Sequence, residues 1–474
     1  MKNGENGPIQ GVTVSFFVKQ FMDKPKPCAE LGEMKWGEER TANLFGLFTD
    51  RILKVTEGTE VTAEIIVEYK YLNEDRTAAA TATLPVNNRN AMTWDDDRKA
   101  ASFVTYRDPG VNQFAKSVGG LAREQGAKAV KLNLREAIGI FEALSLYGIN
   151  YVADPKTPYL ESIKNPASID SLQFPIQTLT YKAGDCDDLS ILYCALLESI
   201  GIDTAFITVP GHIYMAFSLD VPPDEARKTF TRPEDFVFKD SHSWVPVEIT
   251  MVQEGFFKAW QEGAREWREN DARGEAKFYP MDASWALYAP TGIESDASLV
   301  TPPKAELVAA RLKTAIERFV NREIEGTVAA LRDEAARTKN DPVVVNKLGV
   351  LYARYGLYDK AEVEFKKAAS KNYVPAFANL GNLFLIGKDL DKAASWFSRA
   401  SAMDPQDASV LVGLAKVSYE KENYGQVRET YQKLRALDPG LAEKYAYLVS
   451  TRKDDAGRAG LAEERDDVAW DVKN

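Results

Sequence analysis

Cysteine and histidine are scarce, three and two in 474 residues. Three scattered cysteines leave no disulfide framework. With so few and so dispersed Cys and His, no metal-ligand spacing is present and no cofactor is expected. Basic residues are outnumbered, 59 to 70, and the net charge of −11 with no basic aromatic stripe excludes a nucleic-acid binder. No apolar run is long enough to span a bilayer, so no transmembrane segment is expected. What is left is a soluble-type composition long enough for about three domains.

One of the cysteines and one of the histidines fall into a single ordered constellation. Gly184-Asp185-Cys186-Asp187-Asp188 is a turn running into a helix that is apolar nearly all round from Leu189 to Leu197. Gly211-His212-Ile213-Tyr214-Met215-Ala216-Phe217 follows as a strand, and Trp244-Val245-Pro246-Val247-Glu248-Ile249-Thr250 as another. Strand alternation puts His212, Tyr214 and Ala216 on one face, and Trp244, Pro246 and Glu248 on one face of the later strand. Cys186 at a helix N-terminus has unpaired N–H groups and the positive dipole end to favour a thiolate. The flanking Asp185, Asp187 and Asp188 oppose that; the helix end and His212 are expected to win. The candidate catalytic residues are therefore Cys186 as nucleophile, His212 as base and Glu248 as the acid that orients the imidazole.

The other scarce residues read differently. Cys194 lies inside the apolar helix and belongs to the core; Cys28 follows Lys24-Pro25-Lys26-Pro27 as a loop or edge residue. His242 sits in a polar turn and is the weaker rival for the base. Gln177 is a loose candidate for polarising a carbonyl. Asp95-Asp96-Asp97 and Asp187-Asp188 read as solvated or capping charge rather than as a cation site.

The pieces Thr178-Leu179, Gly184 to Asp188, Gly201-Ile202, Gly211-His212 and Trp244 to Thr250 resemble the core of the transglutaminase-like superfamily, a group of papain-like thiol enzymes. The resemblance covers roughly Leu132 to Gly263 and implies a papain-like α+β domain. The family usually carries Asp where this chain has Glu248, which retains a carboxylate.

Alternating stretches at Val12 to Phe16 and Ala63 to Tyr71 make residues 1–86 all-β, expected as an immunoglobulin-like β-sandwich. Its abrupt opening resembles the interior of bacterial sandwich modules, so the chain is expected to start inside a longer protein. Location stays open: periplasmic or cell-envelope in a bacterium if that is so, cytoplasmic otherwise. Residues 87–290 form the transglutaminase-like domain, with helices at about Val111 to Glu124 and Leu134 to Tyr147, and 291–340 a linker with helices. Residues 341–453 repeat internally: Leu348-Gly349, Leu380-Gly381 and Leu414-Ala415 correspond, as do Tyr358-Asp359-Lys360-Ala361 and Leu390-Asp391-Lys392-Ala393. These resemble tetratricopeptide repeats, which implies a helical solenoid with a protein or peptide partner on its concave face. Residues 454–474 read as an acidic tail.

The multidomain α+β chain is thus expected to be a thiol hydrolase of peptide or isopeptide amides. A protein cross-linking acyltransferase uses the same attack with an amine acceptor, and an inactive interaction scaffold uses none of it.

Overall fold

The computed structural model describes residues 1–124, 130–153, 168–449 and 470. They fall into two compact units. The first comprises Met1–Gly119, Ile140–Pro223 and Glu234–Pro303; the second comprises Gly120–Gly139, Asp224–Pro233 and Lys304–Asn474.

The first unit opens with strands β1 (Ile9–Phe17), β2 (Lys26–Met34), β3 (Thr59–Tyr71) and β4 (Glu74–Val86) in one antiparallel sheet of order β2-β1-β3-β4. The β3–β4 hairpin turns through Leu72 and Asn73, both at positive φ, the two-residue turn that matches strand twist. The expected sandwich is corrected here: among the described residues these strands form one sheet, with no second sheet packed on it. The reason lies in β4. Residues 74–81 are exposed throughout, and the run Ala78-Ala79-Ala80 offers too little apolar area to hold another layer. The other face is filled by Val18, Met22 and Leu44 against Phe16, Val61 and Ala63, so connecting segments do the work of a second sheet.

The central region is mixed α and β. Its main sheet has order β11-β12-β10-β9-β13, all antiparallel, from β9 (Thr204–Val209), β10 (His212–Ser218), β11 (Val237–Lys239), β12 (His242–Val247) and β13 (Lys277–Pro280). Two small pairs stand beside it: β5 (Ala91–Thr93) with β7 (Ile169–Ser171), and β6 (Asn150–Tyr151) parallel to β8 (Ala183–Gly184). The helices are α1 (Pro109–Glu124), α2 (Leu132–Tyr147), α3 (Pro175–Tyr181), α4 (Cys186–Glu198), α5 (Pro223–Thr229), α6 (Phe256–Asp271) and α7 (Met281–Trp285). Alternation fills both faces of the sheet. Phe217 meets Phe256, which meets Phe141, which meets Tyr193 of α4. Tyr214, Ala216 and Trp244 pack with Ala205, Ile207 and Trp267 of α6.

The second unit is helical. After the long α8 (Ala305–Arg337) come three helix pairs: α9 (Pro342–Arg354) with α10 (Tyr358–Ala369), α11 (Val374–Ile386) with α12 (Leu390–Met403), and α13 (Ala408–Glu420) with α14 (Tyr424–Leu437), closed by α15 (Pro439–Lys444). Asp341, Asp389, Asp407, Asn423 and Asp438 each cap a helix with a side-chain oxygen. Within a pair, Gly349 lets the first helix close onto Phe365 and Gly381 onto Phe397, both rings fully buried. Asn379 donates to Asn346 at 3.0 Å across successive repeats. This is the tetratricopeptide-like helical repeat. Phe230 packs with Phe319, and Glu323 accepts from the backbone of Thr231, so the segment around α5 belongs to this unit rather than to the sheet. Of the acidic tail only Trp470 is described; its ring stacks on Phe365 at 6.0 Å.

Candidate active site

Asp185 caps α4. Its carboxylate accepts from the Asp188 N–H at 3.3 Å, and the Asp188 carboxylate accepts from the Asp185 N–H at 3.4 Å and the Gln173 N–H at 2.6 Å. This reciprocal cap fixes the first turn and puts Cys186, half-buried, at its start. Gly184 is required just before: a Cβ there would lie 2.6 Å from the Asp188 Cβ and 3.3 Å from the Thr178 Cγ2. The β6–β8 pair sets Tyr151 opposite Gly184, and its phenol feels Cys186, Asp185 and Glu248.

His212 opens β10 and Glu248 follows β12, capping the short turn Ile249–Met251. The two meet with His212 Nε2 2.5 Å from Glu248 Oε2. The other oxygen of Glu248 accepts from the Thr250 N–H at 3.1 Å and its hydroxyl at 2.5 Å. Tyr214 stacks on the imidazole with centroids 5.7 Å apart. Cys186, at the start of α4, lies near enough for the charge of Glu248 to act on its thiol. The structure pairs His212 directly with Glu248 and sets Cys186 in the vicinity of Glu248, without a direct hydrogen bond to either among the described residues.

Sequence reasoning missed a fourth group. Glu266 of α6 lies with Oε2 3.8 Å from His212 Nε2. Read from the sequence, it is one acid among Glu254, Glu262, Glu266 and Glu269, the pattern of a solvated helix face. Spacing against Trp260 and Trp267, both buried, is the signal that could have turned that face inward.

The electrostatics partly depart from expectation. Burial pushes the Cys186 thiol up, and the charges of Asp187 and Asp185 push it further, while the Ile213 N–H pulls the other way. Burial also pushes the acids up: Asp187 well above the carboxylate range, next to Asp185, and Asp188 to about 7. For His212, burial acts to lower the pKa, but Glu248, Glu266 and Asp185 together outweigh it and hold the imidazolium above its ordinary range. Burial, then the charge of Glu248, pushes Glu266 up to about 7.

His212, Glu248 and Glu266 are close enough to suggest a cation site, as are Asp185, Asp187 and Asp188. For the first set, the 2.5 Å His212–Glu248 contact is a hydrogen-bond length. Two ligands each about 2 Å from one zinc stand farther apart than that.

The remaining candidates sit elsewhere. Cys194 is fully buried in α4, and Cys28 is half-buried on β2. His242 is exposed, with its Nδ1 2.7 Å from the Asp240 carbonyl. Gln177 is committed to local structure: its oxygen accepts from the Phe174 N–H at 2.9 Å and from Asn90 at 2.8 Å. Asp96 caps a turn and pairs with Arg98, which holds its carboxyl down at about 2. Among the described residues, no helix is long and apolar enough to cross a membrane.

No family model and no curated protein matches the chain. Among solved structures it is similar to the MamA RS-1 ArsTM double mutant, at 24% identity over 32% of this chain and 89% of that one, with a TM-score of 0.25. It is also similar to the APC/C hetero-tetramer Cut9-Hcn1, at 15% identity over 68% of this chain and 49% of that one, with a TM-score of 0.24. Overlaps this poor carry no argument about the site.

Proposed function

We propose that the central region is a transglutaminase-like thiol hydrolase acting on peptide or isopeptide amides, and that the repeats recruit a protein partner on their concave face. The observation that carries the enzyme reading is the 2.5 Å His212–Glu248 contact beside a cysteine at a capped helix start. In this reading His212 takes the Cys186 proton and the sulfur attacks the carbonyl carbon. The oxyanion forms beside the Cys186 N–H, and His212 returns the proton to the amine as the C–N bond breaks. Water then cleaves the thioester. Glu248, bonded to Nε2, holds the imidazole with its other nitrogen free for the thiol. Cross-linking would differ only in the acceptor, a lysine amine in place of water.

A scaffold reading has one observation in its favour: burial and two acids push the Cys186 thiol up. Alkylation decides between them. Intact protein is treated with limiting iodoacetamide at mildly acidic pH, and each cysteine is quantified by mass spectrometry. The enzyme reading expects Cys186 to label faster than Cys28 and Cys194, and His212→Ala to abolish the difference. Equal, slow labelling of all three supports the scaffold.

A further inference from the structure

We propose that Glu266 is a positioning residue for His212, a second carboxylate that shares with Glu248 the task of holding the imidazole and stabilising its protonated form. This rests on the thiol reading for its catalytic consequence, while the clamp itself is a matter of geometry. Glu266 Oε2 lies 3.8 Å from the same ring nitrogen that Glu248 engages at 2.5 Å. That oxygen is buried and takes no hydrogen bond among the described residues. A buried carboxylate oxygen without a donor is costly unless a positive charge faces it. The nearby cation, Arg265, is 3.7 Å from the outer oxygen and is held by Glu262 at 2.5 Å and Glu269 at 2.6 Å. The imidazole is the group left to compensate the inner oxygen.

The placement is enforced by the backbone. Gly263, one turn before Glu266, approaches β12 so closely that a Cβ would lie 2.9 Å from the carbonyl carbon and oxygen of Pro246. Tyr214, whose ring stacks on His212, donates its hydroxyl to the Gly263 carbonyl at 3.2 Å. Strand β12, helix α6 and the ring of His212 are thus tied at three points. The groups facing His212 are Glu248 after β12, Glu266 from α6, Asp185 at the cap of α4 and Tyr214 on its own strand. Cys186 and Tyr151 stand next to that set. The acids face one imidazole: Glu248 is its hydrogen-bonded counter-charge, and Glu266, pushed up to about 7 by burial and by Glu248, adds a second one as it ionises. When the ring gives its proton to a leaving amine, Glu248 keeps the Nε2 tautomer and Glu266 makes reprotonation by the next thiol easier.

The chain has two histidines, so each imidazole can be followed by NMR in protein labelled only at histidine. Glu266→Gln keeps the shape and removes the charge. The expected result is a His212 titration midpoint lower by about one unit, a tenfold loss of imidazolium relative to imidazole. The His242 resonance should not move between variants. Glu266→Asp should fall between wild type and Gln, and it serves as the working variant if Gln does not fold. Arg265→Ala should leave the midpoint within a few tenths of a unit, because that guanidinium is spent on Glu262 and Glu269. A His212 midpoint unchanged or raised in Glu266→Gln overturns the proposal. Cys186 alkylation on the same samples separates the two readings. Wild-type Cys186 that stays unreactive while the His212 midpoint still falls sinks the thiol reading and keeps the clamp.

Discussion

Gly263→Ala tests whether the approach of α6 to β12 is what builds the site. The added Cβ would stand 2.9 Å from the Pro246 carbonyl carbon and oxygen and 3.0 Å from the Val247 nitrogen. All three are backbone atoms in the interior of a five-stranded sheet, so no side chain can rotate away. Ordinary carbon contacts begin at about 3.5 Å, so helix and strand must part by roughly half an ångström. Overpacking of this kind costs about 1–3 kcal/mol. The same displacement stretches the 3.2 Å bond from the Tyr214 hydroxyl to the Gly263 carbonyl and draws Glu266 away from His212. Two readouts are expected to move together. The urea midpoint followed by tryptophan fluorescence should fall, and the His212 titration midpoint should drop toward that of Glu266→Gln. A variant within about 0.5 kcal/mol of wild type with an unchanged His212 titration would refute the reasoning, because it would mean that α6 and β12 separate freely.

Other expectations follow from the same geometry. Glu248→Gln should keep the fold yet slow Cys186 alkylation or amide turnover a hundredfold or more, since an amide cannot stabilise an imidazolium equally; kinetics on folded variant check it. Glu198, whose carboxylate accepts from the Thr204 N–H and hydroxyl at 2.8 Å, is pushed up to about 7 mainly by burial. The folded state then binds the extra proton between about pH 4.5 and 7, so stability should fall by up to about 3 kcal/mol across that window and level off above it, and Glu198→Gln should flatten the curve in melts at stepped pH. A chain ending at Pro303 removes Phe319 and Glu323, the partners of Phe230 and Thr231. Hydrogen exchange should then show lost protection at residues 224–233, while Cys186 labelling persists.

Much of the site was legible because each piece is local. Gly184-Asp185 followed by an apolar run specifies a capped buried helix whatever surrounds it, and strand period 2 puts His212 with Tyr214 and Ala216 without knowledge of the partner strand. Glu266 was not legible, because its position depends on Gly263 meeting Pro246, a contact between segments whose relative placement no periodicity encodes. The N-terminal strands were legible as strands but not as a single sheet. Alternation at Val12 to Phe16 shows that one face is buried, not whether a sheet or a connecting loop buries it, and here Val18, Met22 and Leu44 do so. The repeats were the most legible part, since Gly349 and Gly381 mark the close helix contacts that Phe365 and Phe397 fill. What they could not disclose is that the segment around α5 joins the helical unit, through Phe230 and Thr231.

Under the proposed thiol chemistry, the charges around Cys186 bear on how a thiol pushed up by its surroundings would serve as a nucleophile. A lone thiolate there is opposed by burial and by the charges of Asp187 and Asp185. Asp187 is itself pushed well above the carboxylate range by burial and by Asp185. A thiolate beside a protonated His212 is a neutral pair, and burial that penalises one charge penalises the pair far less. Glu248 and Glu266 then act on the imidazolium half of that pair, against the desolvation that would otherwise discharge it. The two ionisations are therefore linked: Cys186 loses its proton when His212 gains one, and a change that lowers the imidazole raises the thiol. On this argument the carboxylates, which read from the sequence as opponents of a reactive cysteine, divide into two sets. Asp185 and Asp188 at the helix start are engaged in its reciprocal cap, and those beyond the imidazole supply the field that would let the pair form.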